Sequence, residues 1–136
     1  MSSLSVDWND TTHSLKVIDQ RYIPQKEVYH ELRSIEQVWE AITFQKIQKH
    51  SEVEVASAFG LVLWSQFKQS NQLDLFLDEL CAKRDYLCTS KQANGSISTS
   101  VNRVVTRALK AHTVEEAKLL CLKEAKAIQS EKGLMS

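Results

Sequence analysis

An α+β fold, mostly α, is what the sequence predicts: a small amino-terminal antiparallel sheet followed by a bundle of about five helices. Three observations carry that reading. The chain holds only 3 Gly and 1 Pro against 43% hydrophobic residues, which argues against disorder and against a turn-rich all-β fold. Its apolar residues alternate up to Leu32 and then recur at the helical period through to the last segment. Serine and threonine cap signals open several of the later segments. At 136 residues the chain is one domain by length, large enough for a core without staples, with residues 1–32 as the sheet and 33–136 as the helical part.

The sheet comes first. Ser5-Val6-Asp7-Trp8, Leu15-Lys16-Val17-Ile18 and Glu27-Val28-Tyr29-His30-Glu31-Leu32 alternate and are rich in β-branched and aromatic residues. Asn9-Asp10-Thr11-Thr12 supplies the first turn, and Pro24 closes the second connection. Helices follow. Ser34 with Gln37 forms a capping box, and Ile35, Val38, Trp39 and Ile42 fall on one face. Ser51 with Glu54 reads as a second capping box, opening a run from Val53 to Phe67 that is apolar on nearly all sides, as a central buried helix requires. Ser70 or Asn71 begins a third helix with Leu73, Phe76, Leu77, Leu80, Cys81, Leu87 and Cys88 inward, acidic early and basic late as the macrodipole prefers. Residues 89–98 read as a polar surface loop. Thr99 or Ser100 then starts a fourth helix with Val101, Val104, Val105, Ala108 and Leu109 inward, and Thr113 with Glu116 caps a fifth that ends near Gly133.

Composition narrows function. Lys+Arg and Asp+Glu both total 17, so no bulk charge attracts nucleic acid or an anionic membrane, and neither partner is expected. No basic leader with an apolar run opens the chain, and no stretch reaches membrane-spanning length, so the expected location is the cytoplasm. Cys81, Cys88 and Cys121 are an odd number without metal spacing, and His13, His30, His50 and His112 are scattered. Neither a metal site nor a cofactor is expected. Trp8, Trp39 and Trp64, spread over three elements, read as core or interface anchors.

The landmarks in order resemble the amino-terminal domain of methylthioribose-1-phosphate isomerases. A Leu-x-x-Leu/Ile-Asp-Gln-x-x-Leu/Ile-Pro signature is met by Leu15, Ile18, Asp19, Gln20, Ile23 and Pro24, an Ala-Phe-Gly-Leu helix by Ala58 to Leu61, and a Val-Glu-Glu-Ala-Lys helix by Val114 to Lys118. Regulatory subunits of the eukaryotic translation-initiation exchange factor share the architecture, but the Asp19-Gln20 pair favours the isomerase branch. The resemblance implies a domain that packs against a Rossmann-like catalytic domain and helps close a sugar-phosphate site. It covers nearly all of this chain but about the first third of a family member, and the family's catalytic cysteine and aspartate lie in the other domain.

The family's first binding loop, Arg-Gly-Ala-Pro-Ala-Ile-Gly, falls on Gln48-Lys49-His50-Ser51-Glu52-Val53-Glu54, so the forked guanidinium becomes an uncharged amide and the glycine a lysine. The second motif, Arg-Pro-Thr-Ala-x-Asn, falls on Ile97-Ser98-Thr99-Ser100-Val101-Asn102, keeping Thr99 and Asn102 and replacing the arginine with Ile97. Gln48, Lys49, His50 and Ile97 are thus degenerate substrate-binding positions, with no catalytic residue. Removing two charge-assisted hydrogen bonds, at roughly 1.5–3 kcal/mol each, weakens anion binding by about a hundred- to ten-thousand-fold. Ser51, Glu52 and Glu54 are expected to occupy the positive end of the helix themselves. The expectation is a truncated isomerase-like protein, non-catalytic alone, acting as a binding or interaction module, with a homodimer or an isomerase-like protein as partner. The expected docking points for such a partner are the helix edges around Trp39 and Trp64 or the Leu134-Met135 tail. The alternatives are the amino-terminal half of a split sugar-phosphate aldose–ketose isomerase, or a remnant with no selected role.

Overall fold

The computed structural model describes residues 5–90 and 95–135. Strands β1 (Val6–Asn9), β2 (Ser14–Ile18) and β3 (Tyr29–Leu32) form an antiparallel sheet in the order β1-β2-β3. The register sets Val6 opposite Val17, Trp8 opposite Leu15, and Leu15 opposite Leu32. Because side chains alternate along a strand, these five share one face, and all are buried, while Asp7, Lys16 and Glu31 line up on the other. Asn9 makes the first turn, its Oδ1 accepting the N–H groups of Thr11 (2.8 Å) and Thr12 (3.1 Å), and His13 takes a positive φ of 52°.

Five helices complete the fold: α1 (Ile35–Thr43), α2 (His50–Phe67), α3 (Leu73–Leu87), α4 (Gly95–Ala108) and α5 (Val114–Met135). Helix α2 is the hub, touching the sheet and all four other helices. Its residues from Val53 to Leu63 are buried almost without interruption, which is why its apolar pattern shows no single face. Trp8 stacks on Phe59 with ring centroids 5.0 Å apart, sealing the sheet onto the hub. Gly60 lets two neighbours approach closely: a Cβ there would lie 3.2 Å from Leu87 Cδ1 and 3.3 Å from Val38 Cγ1.

The expected fold class is observed, with differences in detail. The Ser34 cap forms, accepting the Gln37 N–H at 3.2 Å, although Gln37 returns its side chain to the N–H of Arg33 instead of Ser34. The Thr113 cap forms as well, with Glu116 reaching back to the His112 N–H. The capping box read at Ser51 and Glu54 does not form: α2 begins two residues earlier, with Lys49 as its N-cap and no side-chain cap bond. Helix α3 starts at Leu73 behind Gln72 rather than at Ser70 or Asn71. Helix α4 starts at Gly95, so part of the expected loop is helical, while residues 91–94 lie outside the described residues. Phe67 and Leu109, read as inward, are 63% and 54% exposed, because each sits at the end of its helix beyond the reach of the neighbouring elements. Helix α5 runs through Gly133 to Met135, since a helical glycine with no following breaker need not end a helix.

Candidate functional site

Two surfaces correspond to the binding motifs of the resemblance. The first is the connector from α1 to α2. Gln45 adopts a positive φ of 65°, and Lys46 and Ile47 turn back so that both their N–H groups reach the Ala41 carbonyl, at 2.9 and 3.3 Å. Ile47 is buried and pins the connector from within. Gln48, Lys49 and His50 follow in sequence and are all exposed. Gln48 folds back and donates from Nε2 to the Gln45 carbonyl at 3.0 Å.

The acidic residues of α2's first turns do not stand as a pair at the helix end. Glu52 is fully buried, and its Oε2 accepts the Ser5 N–H at 2.6 Å while its Oε1 has no hydrogen-bond partner. Glu54 points to α5 and pairs with Lys132 at 3.2 Å. The expectation that both carboxylates crowd an incoming anion is therefore corrected: one ties down the chain before β1, and the other links two helices.

The Asp19-Gln20 signature proves to be the sheet's tie to this connector. The Gln20 N–H donates to the Lys46 carbonyl at 2.9 Å. Asp19 is fully buried and collects four donors or partners: Arg21 Nε (2.9 Å), Arg21 Nη2 (2.7 Å), the Arg21 N–H (3.0 Å) and His30 Nε2 (2.9 Å). Arg21's hydrogen bonds hold the Asp19 carboxyl far below the usual carboxylate range, overriding the opposite push of burial, with His30 adding to the effect. His30 also lines a cleft of about 200 Å³ with Gln37, Glu40 and Lys46. The sequence flagged Asp19 but not His30, whose role depends on β3 pairing beside β2.

The second surface is the outer side of α4. Thr99 and Asn102, which the resemblance sets in the second motif, line an open groove of about 460 Å³ with Arg103, Thr106, Arg107 and Lys110, and α5 adds Glu124. Ile97, by contrast, is fully buried in the core, so the four positions expected from the resemblance, Gln48, Lys49, His50 and Ile97, are not brought to one surface. Arg103 spans to α5, giving Nε to Glu124 (2.9 Å) and a two-nitrogen fork to both Glu131 oxygens (2.8 Å each). These bonds, Glu131's foremost, raise the already high pKa of its guanidinium further. The recurrence of Arg103, Arg107 and Lys110 at helical spacing was a legible signal for this groove.

Neither surface carries an evident nucleophile. Cys121 is buried and its thiol is pushed up to about 12 by that burial, while Cys81 and Cys88 are half-buried against the core. Among the described residues no group of three His, Cys, Asp or Glu is placed to hold a metal ion, and no helix is long and apolar enough to cross a membrane.

No protein-family model matches the sequence. A methylthioribose-1-phosphate isomerase from Bacillus licheniformis is 32% identical over 127 residues, which is 93% of this chain and 35% of that protein. Translation initiation factor eIF-2B, subunit delta, from A. fulgidus superposes with a TM-score of 0.85 and 30% identity, covering 95% of this chain and 37% of the other. The 5-methylthioribose 1-phosphate isomerase from Pyrococcus horikoshii OT3 gives the same TM-score of 0.85 at 22% identity, over 94% and 36% of the two chains, and so speaks to the fold alone. The fold does not separate the two names, and the chain spans about a third of the length of the curated relatives it matches. Along nearly its whole length, this chain is similar to the amino-terminal part of methylthioribose-1-phosphate isomerases.

Proposed function

We propose that this chain is an isomerase-type amino-terminal domain that does not interconvert sugar phosphates by itself and acts by docking onto another protein. The observation that carries the reading is Gln48. Where the resemblance implies a guanidinium reaching for an anionic oxygen, the structure has an uncharged amide turned back on the Gln45 carbonyl, followed by Lys49 in place of glycine. Ile97 at the second arginine position is sealed in the core and supplies no polar atom to a ligand. The partner proposed is a second copy of this chain or an isomerase-like protein. One observation favours a second reading, the amino-terminal half of a split sugar-phosphate isomerase: Thr99 and Asn102 both reach the α4 groove.

The test is to incubate the purified chain with methylthioribose 1-phosphate and follow interconversion by NMR, alone and mixed with the separately produced carboxyl-terminal domain of the Bacillus licheniformis relative. No turnover is expected in either case. Turnover by the chain alone overturns the non-catalytic reading, and turnover only on mixing establishes the split enzyme. Light scattering at high concentration, with and without the intact relative, is expected to show a dimer or a mixed complex. A monomer in both samples overturns docking.

A further inference from the structure

We propose that the outer face of α4 is the docking surface, and that its occupant is an acidic, amphipathic helical segment of the partner protein. The inference rests on the docking reading above and assigns it a place and a chemistry. Arg103 and Arg107 stand one helical turn apart on α4, and Lys110 follows in the turn just past its last residue, so that all three cations line the same groove. The molecule already shows how this row of cations receives a helix. Glu124 and Glu131 of α5, seven residues apart, present their carboxylates to Arg103 alone, at 2.8–2.9 Å. Arg107, in α4's last turn, and Lys110, in the turn that follows, extend the row of cations; both are exposed, and neither meets a carboxylate among the described residues.

The remaining features favour a helix over a small ligand. Among the described residues the groove's only wall from another helix is Glu124, so it cannot enclose the greater part of a small molecule's surface as ligand pockets do. Leu109, three residues beyond Thr106 on the flank of the row, is 54% exposed and gives an apolar anchor beside the cations. An apolar anchor flanked by cations is matched by a helix with Leu on one face and Glu beside it. The whole chain has as many acidic as basic residues, 17 each, so the attraction comes from this local row and not from net charge.

The experiment titrates isotope-labelled chain, at low salt, with a synthetic helical peptide carrying Leu and Glu at heptad spacing. Controls are the same peptide with Gln for Glu, inorganic phosphate, and a short DNA duplex. The expected result is chemical-shift change centred on Thr106, Arg107, Leu109 and Lys110, with the Gln peptide about tenfold weaker. Arg107→Glu with Lys110→Glu should abolish binding of the Glu peptide and confer binding of a Lys counterpart. Arg107→Gln with Lys110→Gln should weaken the Glu peptide without creating the new preference. Equal binding of Glu and Gln peptides, shifts centred elsewhere, or stronger binding of phosphate or duplex at these residues overturns the proposal. If the peptide fails while scattering still shows a complex, only the α4 assignment falls; if both fail, the docking reading falls with it.

Discussion

Replacing Asp19 with Asn tests whether the buried carboxylate holds the sheet's second connection in place. The native carboxylate accepts three N–H donors from Arg21 and is 2.9 Å from His30 Nε2. In the variant one oxygen becomes an NH2 group and must face donors. Breaking a buried charged network from one side costs about 3–5 kcal/mol, and the low end applies because the Arg21 and His30 side chains are 41% and 30% exposed and can turn to water. We expect a loss of about 3 kcal/mol in urea unfolding at pH 7, or about 10 °C in Tm. The pH dependence fixes the sign. Asp19's folded pKa lies below its unfolded value of about 3.9, so between the two the unfolded chain binds more protons and stability rises with pH. The contribution is complete above about pH 4–5 and is lost as pH falls from there toward the folded pKa. Asp19→Asn should therefore have a shallower acid limb than the native chain. A variant within about 0.5 kcal/mol of native at pH 7, with a parallel acid limb, refutes the reasoning.

Gly60→Val should cost about 2 kcal/mol by urea titration, because even its Cβ meets Leu87 and Val38 at 3.2 and 3.3 Å and its methyl groups have no space to enter; an unchanged midpoint means that α1 and α3 yield freely. In the native chain a chromogenic disulfide reagent should titrate Cys81 and Cys88 well before the buried Cys121, whose thiol is held near pKa 12, and all three should react together in denaturant; equal native rates exclude a closed core around α5.

The hydrophobic period made the elements legible, and the residues that escaped it did so for identifiable reasons. Trp8, Leu15, Val38, Phe59, Phe76 and Ile128 were all readable as inward, because alternation or helical recurrence marks a face without knowledge of its neighbour. Helix starts were less secure. Ser34 and Thr113 cap as their type predicts, but Ser51 loses to Lys49 because the connector's own backbone bonds, Gln20 to Lys46 and Ile47 to Ala41, set where the helix can begin. Gly95 opens α4 in a stretch whose polar composition resembles a loop. The candidate positions divide in the same way. Exposure of Gln48, Lys49 and His50 follows from their polarity, and burial of Ile97 from its apolar side chain. The Asp19, Arg21 and His30 cluster joins a strand, β3, to the turn that follows β2, and local pattern contains no record of that meeting.

The burial of α2 on every side also sets how the chain can be divided. A helix with no polar face cannot persist in water without its neighbours, so its amide protons should exchange only through global unfolding. For the same reason no cut inside it leaves either fragment with a core. Circular permutation has better prospects at the exposed Asn71–Gln72 bend between α2 and α3, where new termini would open no packed surface. The helix that organises the fold thus makes these residues one indivisible unit, to be transplanted, fused or lost as a whole.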